Sequence, residues 1–305
     1  MMTIAQAFDK FLSDRMVYCS VETLKTYSGH LRNFWKYLAE VYCKTIQELD
    51  FTELPKDDNI YSGFIVHMRE KKKVKNVTIR SYCRAVKAFL RFCYEQDYCR
   101  DYLKGVKLPR DDSAPKMPLY AAEVEDIDKT FNRSTLKGKR NYAIVHLMLD
   151  VGLRSQEVRH LKAEHLDPAH NLLHIMDSKG NKSRIVLCPE FLFVAISDYL
   201  NACGRSSGAV FLSLRDNSEL KKNTLNLMFA DLKKESGVSR LHPHLLRHTF
   251  ATSYLVGGGN LEFLRVFMGH SDYTVTKSYS SLAAQCKMLG ADIYKLDKIF
   301  FERGY

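Results

Sequence analysis

The chain has 305 residues, 46% of them apolar, and a formal charge of +11. That is enough length and apolar content for two globular domains and argues against disorder. The basic surplus points away from cationic partners and fits a polyanion such as DNA or RNA, though a basic protein without such a partner would have the same charge.

The N-terminus, MMTIAQAFDKFL, lacks a basic stretch followed by an apolar one, and no apolar run approaches the ~20 residues that span a bilayer. The eight cysteines form no Cys-x-x-Cys pair and no zinc-spaced cluster with histidine. They are expected to be buried thiols of a soluble, cytoplasmic protein that has no membrane partner and no metal site.

Residues 1–103 read as an all-helical domain. Ile4, Ala7, Phe8, Phe11 and Leu12 give Thr3–Tyr18 a helical apolar spacing. Ser20 is a good N-cap for a second helix, with Leu24, Tyr27, Leu31, Phe34, Trp35 and Leu38 as its stripe. A third helix is expected over about 59–71. In a fourth, over 77–97, Tyr82, Ala85, Val86, Phe89, Leu90 and Cys93 form the packing face. Arg80, Arg84, Lys87 and Arg91 line the opposite face, along about 16 Å at ~1.5 Å per residue. With Lys71, Lys72 and Lys73 they form a candidate DNA-binding surface. Such a ladder can follow a phosphate backbone, or it can be an ordinary solvated face. From Arg69 to Arg110 there are 13 Lys and Arg against 4 Asp and Glu, so local neutralisation is scarce.

Residues 104–118, KGVKLPRDDSAPKMP, read as a linker, because three prolines remove backbone donors and disfavour helix. Residues 119–305 read as a second, mostly helical domain. Helices are expected at about 121–132, 139–151, 155–162, 190–202, 222–236, 244–256, 261–268, 273–281 and 291–303. Two strands, Leu172–Met176 and Arg184–Leu187, flank a turn containing Gly180 and Asn181, a hairpin signal. The expected fold is therefore mainly α: an N-terminal helical domain, and a mostly helical second domain with a small antiparallel sheet.

Four features of the second domain carry chemistry. They are Gly152-Leu153-Arg154 with Glu157; Lys179 in the hairpin turn; His244 through Thr252, with Arg247 and His248; and Gly269-His270, followed nine residues later by Tyr279. Each alone has a plain structural explanation as a cap, a surface pair, a turn lysine or a packing tyrosine. Together they supply what phosphoryl transfer uses. Two arginine forks match phosphate oxygens, a lysine can protonate a leaving alkoxide, and histidine can accept a phenolic proton. A tyrosine is the nucleophile, and its ordinary pKa of about 10 demands such help.

In this order and spacing the four features resemble the tyrosine recombinase (phage integrase) family. Arg154 matches the first arginine, in Gly-Leu-Arg-x-x-Glu; Lys179 the turn lysine; His244 and Arg247 the His-x-x-Arg pair; His270 the Gly-His element; and Tyr279 the nucleophile. With no separate module ahead of the helical domain, the chain looks like the simpler Xer or transposon-encoded members, without an arm-binding module. The resemblance implies a four-helix core-binding domain over 1–103 and a catalytic domain over 119–305. The two would close as a clamp on double-stranded DNA.

The implied reaction is site-specific recombination through a 3′-phosphotyrosine at Tyr279 and a Holliday junction, with neither ATP nor a metal ion as cofactor. The catalytic set would be Arg154, Lys179, His244, Arg247, His270 and Tyr279, with Glu157 and His248 orienting them. A homotetramer would act on two DNA sites, with helix 291–303 docked on a neighbouring protomer and with accessory DNA-bending or directionality proteins as further partners. The biological task would be integration and excision of a mobile element, or Xer-like resolution. Two rivals stand beside this: DNA relaxation of the type IB topoisomerase kind, and a catalytically idle DNA-binding protein of the same fold.

Overall fold

The computed structural model describes residues 2–56, 58–111, 116–176, 183–269 and 273–302. The chain divides into two compact units, Met1–Ala114 and Pro115–Tyr305.

Four helices build the first unit: α1 (Ile4–Met16), α2 (Val21–Tyr42), α3 (Ile60–Glu70) and α4 (Asn76–Glu95). Side chains start the first three. Thr3 and Gln6 form a reciprocal capping box, Ser20 accepts from the Thr23 amide, and Asn59 accepts from the Tyr61 and Ser62 amides. The core is aromatic. Phe89 of α4 meets Phe11 edge-on at 5.7 Å, and Phe34 of α2 meets Phe64 of α3 at 5.3 Å. On the outer face of α4, Arg84, Lys87 and Arg91 are exposed as expected. Arg80 is not a free rung of that ladder: it is half-buried and donates to the Pro109 carbonyl at 2.7 Å. Lys71 and Lys73 are exposed, while Lys72 is paired with Glu40 at 2.8 Å. The start of the expected linker belongs to this unit, since Val106 and Leu108 pack on its core.

The second unit carries α5 (Ala121–Asp128), α6 (Leu136–Leu149), α7 (Ser155–Arg159) and the strands β1 (Leu166–Asp167), β2 (Leu172–Ile175) and β3 (Arg184–Leu187). It continues with α8 (Glu190–Ala202), α9 (Lys222–Ser236), α10 (Pro243–Val256), α11 (Leu261–Met268), α12 (Tyr273–Met288) and α13 (Ile299–Glu302). The strands form one antiparallel sheet in chain order, with Leu173 facing Val186. The hairpin turn, including Lys179, lies outside the described residues, as does His270. α6 and α10 are buried on most of their faces and form the centre of the unit. α6 starts three residues earlier than expected because Thr135 caps it, accepting from the Gly138 amide at 3.1 Å.

The tail corrects the sequence reading. Residues 291–298 are not helical, and the expected helix over 291–303 shrinks to α13. Gly290, with φ +57°, ends α12, and the backbone beyond it pairs with the segment leading into α5. The Ala121 amide donates to the Asp292 carbonyl, and the Tyr294 amide to the Leu119 carbonyl. A chain committed to those bonds cannot also close i→i−4 bonds. The apolar residues expected to dock on a neighbour are used within this unit: Ile293 and Phe300 are buried, and Leu296 and Ile299 pack on the core. Tyr294 Oη donates to Asp150 Oδ1 at 2.8 Å, and the other oxygen of Asp150 meets His146 Nδ1 at 2.7 Å.

The cysteines are free thiols, but only Cys83, Cys93, Cys188 and Cys286 are buried; Cys43 is exposed and the other three are intermediate. Among the described residues no helix is long and apolar enough to cross a membrane.

Candidate active site

The site is built around the C-terminal end of α11. Helix ends leave carbonyls without intrahelical partners, and the macrodipole makes that end a sink for positive charge. Three arginines fill it in order. Arg184 Nε donates to the Phe267 carbonyl at 2.7 Å, Arg247 Nη2 to the Met268 carbonyl at 2.6 Å, and Arg154 Nη2 to the Gly269 carbonyl at 2.9 Å. They arrive from three directions: β3, α10 and the residue that starts α7.

Two glycines make this possible. Gly269 ends α11 in the left-handed region, with φ +62°, and a Cβ there would lie 3.4 Å from Arg184 and 3.5 Å from Arg154. Gly152 has φ +67°, and a Cβ there would meet the Phe250 ring at 2.5 Å. Its carbonyl accepts a second bond from Arg247.

Three guanidiniums this close repel one another, and Glu157 offsets that repulsion. Its Oε1 accepts from Arg154 Nη1 at 2.8 Å and from Arg184 Nη1 at 2.7 Å. Its Oε2 accepts from the Arg154 amide at 2.7 Å and from Arg184 Nη2 at 3.0 Å. Burial alone would raise the Glu157 pKa, but these donors, Arg184 foremost, bring it down to about 2. Arg247 is buried, which pushes its pKa down to about 9, with Arg154 and Arg184 adding to the shift and Glu157 and Tyr279 opposing it. It therefore stays protonated at neutral pH.

Tyr279, on α12, is buried, and its ring lies 5.2 Å from that of His248 on α10. Burial pushes its phenol pKa up, and the fields of Arg247 and Arg154 pull the other way. His244 is exposed one turn before Arg247, with its ring parallel to that of His242 at 6.5 Å. Its imidazole pKa is lowered by partial desolvation, then by Arg247 and Lys116. His248 Nε2 donates to the Lys116 carbonyl at 2.6 Å, which leaves Nδ1 as the acceptor in the neutral ring.

Of the residues singled out from the sequence, the fold gathers Arg154, Glu157, His244, Arg247, His248 and Tyr279 into one neighbourhood, and Lys179 and His270 fall outside the described residues. Arg80, Arg84, Lys87, Arg91 and Lys71–Lys73 belong to the other unit. Sequence reasoning missed Arg184 and the carbonyls of residues 267–269. A lone arginine opening the apolar strand Arg184–Leu187, five residues past Lys179, was the available signal. Backbone acceptors leave no mark in a sequence.

Comparison with known proteins bears on the family and the fold. The family model described as "Phage integrase family" matches residues 118–285. A tyrosine recombinase XerA of Thermococcus kodakarensis (strain ATCC BAA-918 / JCM 12380 / KOD1) is 30% identical over 234 residues, covering 75% of this chain and 79% of the relative. A tyrosine recombinase XerC of Bacillus pumilus (strain SAFR-032) is 27% identical over 274 residues, 87% of each chain. Among solved structures, the Tn1549 transposon integrase in complex with transposon right end DNA has a TM-score of 0.74 at 19% identity, covering 95% of this chain and all of that one. A lambda integrase dimer bound to a core site has a TM-score of 0.72 at 14% identity.

Proposed function

Since the chain belongs to the phage integrase family and is a tyrosine recombinase, we propose that it cuts and rejoins double-stranded DNA with Tyr279 as its nucleophile. The observation that carries this reading is a buried tyrosine, Tyr279, with its ring 5.2 Å from that of His248 on α10, the same helix that sends Arg247 to the Met268 carbonyl beside the Arg154–Gly269 bond.

The phenolate oxygen attacks a DNA phosphorus, a 3′-phosphotyrosine bond forms, and the bond to the 5′ oxygen breaks. His244 accepts the phenolic proton, and its lowered pKa keeps it neutral for that task. Lys179 protonates the departing 5′ oxygen. Arg154, Arg247 and His270 hold the non-bridging oxygens, where charge grows in the transition state. Glu157 and His248 orient this set. A 5′-hydroxyl from the second DNA then attacks the phosphotyrosine and releases Tyr279. One ester replaces another at each step, so the reaction draws on no ATP, and the side chains named above supply the charge and the proton transfers. Two such exchanges through a Holliday junction use four protomers on two DNA sites. The exposed residues Arg84, Lys87 and Arg91 contribute contacts to the phosphate backbone.

The relatives are recombinases by name, and one solved neighbour is a transposon integrase held on transposon DNA. They support recombination between two sites over relaxation alone. The test uses a pool of nicked duplexes, in which loss of a short fragment traps the covalent step. The wild-type protein is expected to give SDS-resistant protein–DNA adducts, and Tyr279→Phe none. Adducts from Tyr279→Phe would end the proposal. Sequencing the trapped DNA assigns the task, element ends pointing to integration and excision and a chromosomal site pointing to resolution.

A further inference from the structure

We infer that Arg184 is a positioning residue for DNA cleavage, clamping Glu157 so that Glu157 holds Arg154 at the angle the phosphate requires. The inference rests on the proposed reading of the site and assigns a task to a residue that reading leaves idle.

The hydrogen bonds divide the labour between the two arginines. Arg154 leaves 41% of its side chain exposed and Arg184 only 13%. Arg184 spends Nε on the Phe267 carbonyl and both terminal nitrogens on the two oxygens of Glu157. It is a two-pronged, planar grip of the kind lysine cannot reproduce. Arg154 meets the same carboxylate with one terminal nitrogen and its amide, and meets Gly269 with the other. A carboxylate held by one partner can pivot; one gripped at both oxygens from β3 and from the start of α7 cannot. The same guanidinium ties β3 to the last turn of α11, so the strand that follows the Lys179 turn and the helix that precedes His270 share one anchor.

The grip also sets the charge of Glu157. This largely enclosed carboxylate, with 9% of its side chain exposed, faces Arg154 from its own segment, Arg184 from β3 and Arg247 from α10. Without Arg184, burial pushes it toward protonation, and a protonated Glu157 loses an acceptor for Arg154.

The test measures single-turnover adduct formation on a nicked duplex recovered from the trapping pool, alongside binding of the same duplex. Arg184→Gln is expected to slow adduct formation about 10–100-fold, the usual cost of losing an orienting partner, with binding changed less than about twofold. His244 gives the wild-type rate an acid limb, and in Arg184→Gln that limb is expected to move to higher pH, because Glu157 then takes up its proton more readily. Arg184→Lys keeps the cation and is expected to return the acid limb toward its wild-type position while recovering only part of the rate. In a Glu157→Gln background, Arg184→Gln is expected to add almost nothing. A wild-type rate in Arg184→Gln, an equal loss in both backgrounds, or a slowed rate with an unchanged pH profile overturns the inference. If Arg184→Gln fails to fold, Arg184→Lys decides: slower cleavage at an unchanged melting temperature supports the clamp, and a wild-type rate overturns it. Failure of the wider reading looks different, because Arg154→Ala would then cleave normally or Tyr279→Phe would still attach.

Discussion

On α4, Arg84, Lys87 and Arg91 stand exposed over an apolar core, whereas in the second unit Arg154, Arg184 and Arg247 end against three successive carbonyls and one carboxylate. Solvated cations on a helix face keep their rotamer freedom. They can raise affinity for a polyanion but fix no atom in place. Cations whose hydrogen bonds are spent on fixed backbone carbonyls have a set geometry and repay it only where a transition state matches it. The contrast predicts that charge removed from the first unit changes binding, and charge removed from the second changes chemistry.

The sharpest break between the two comes from Tyr279→Phe, which is expected to abolish adduct formation while leaving duplex affinity within about twofold; gel shift and denaturing gels read the two separately. Arg247→Ala comes next. It leaves the Gly152 and Met268 carbonyls without their donor and removes a buried cation. Cleavage should fall at least about 10²–10³-fold, the usual loss for one oxyanion donor, and the melting temperature should drop as well. Arg154→Ala should lose a similar factor in cleavage with a smaller thermal cost, because that side chain is partly exposed.

A further cut separates the tail from both regions. Phe300→Ala removes a buried ring seated between Phe250 and Phe267, and thermal unfolding should report about 3–5 kcal/mol lost. A neutral result would return the tail to a role on a neighbouring protomer. The His146 pair with Asp128 and Asp150 adds a pH signature beneath the tail. Burial opposes the charge, but the two carboxylates raise the imidazole pKa to about 9. Its stabilising share is complete below the ordinary value near 6.5 and fades as the pH rises through 9. His146→Asn should remove that alkaline loss from a melting-temperature profile. The smallest effect is expected from Arg84→Ala with Lys87→Ala, which should weaken binding modestly and lower the log–log salt slope by about 2, leaving the cleavage rate of bound DNA intact. An unchanged slope would detach α4 from the DNA.

What the sequence revealed follows the same division. Helices α1–α4 and α8–α11 were legible because each carries an apolar stripe at helical spacing and most have a capping residue in front. The site was legible as side chains at fixed spacing, from Arg154 and Glu157 to Tyr279. The tail misled because Ile293, Leu296, Ile299 and Phe300 have a helical period, yet the backbone found a better partner in residues 119–121. Arg80 misled for a related reason, since its place on the helix wheel was right but a carbonyl 29 residues away claimed it. The α11 carbonyl row was invisible because acceptors common to every residue acquire meaning only from where the chain ends a helix.

The central claim is that one phenolic oxygen, on Tyr279, carries the DNA. Peptide mapping of the trapped adduct by mass spectrometry, after nuclease digestion, tests it directly. The expected result is a single modified peptide, with the nucleotide remnant on Tyr279. A remnant on any other residue, or duplex cut with no protein-linked nucleotide at all, would contradict the account.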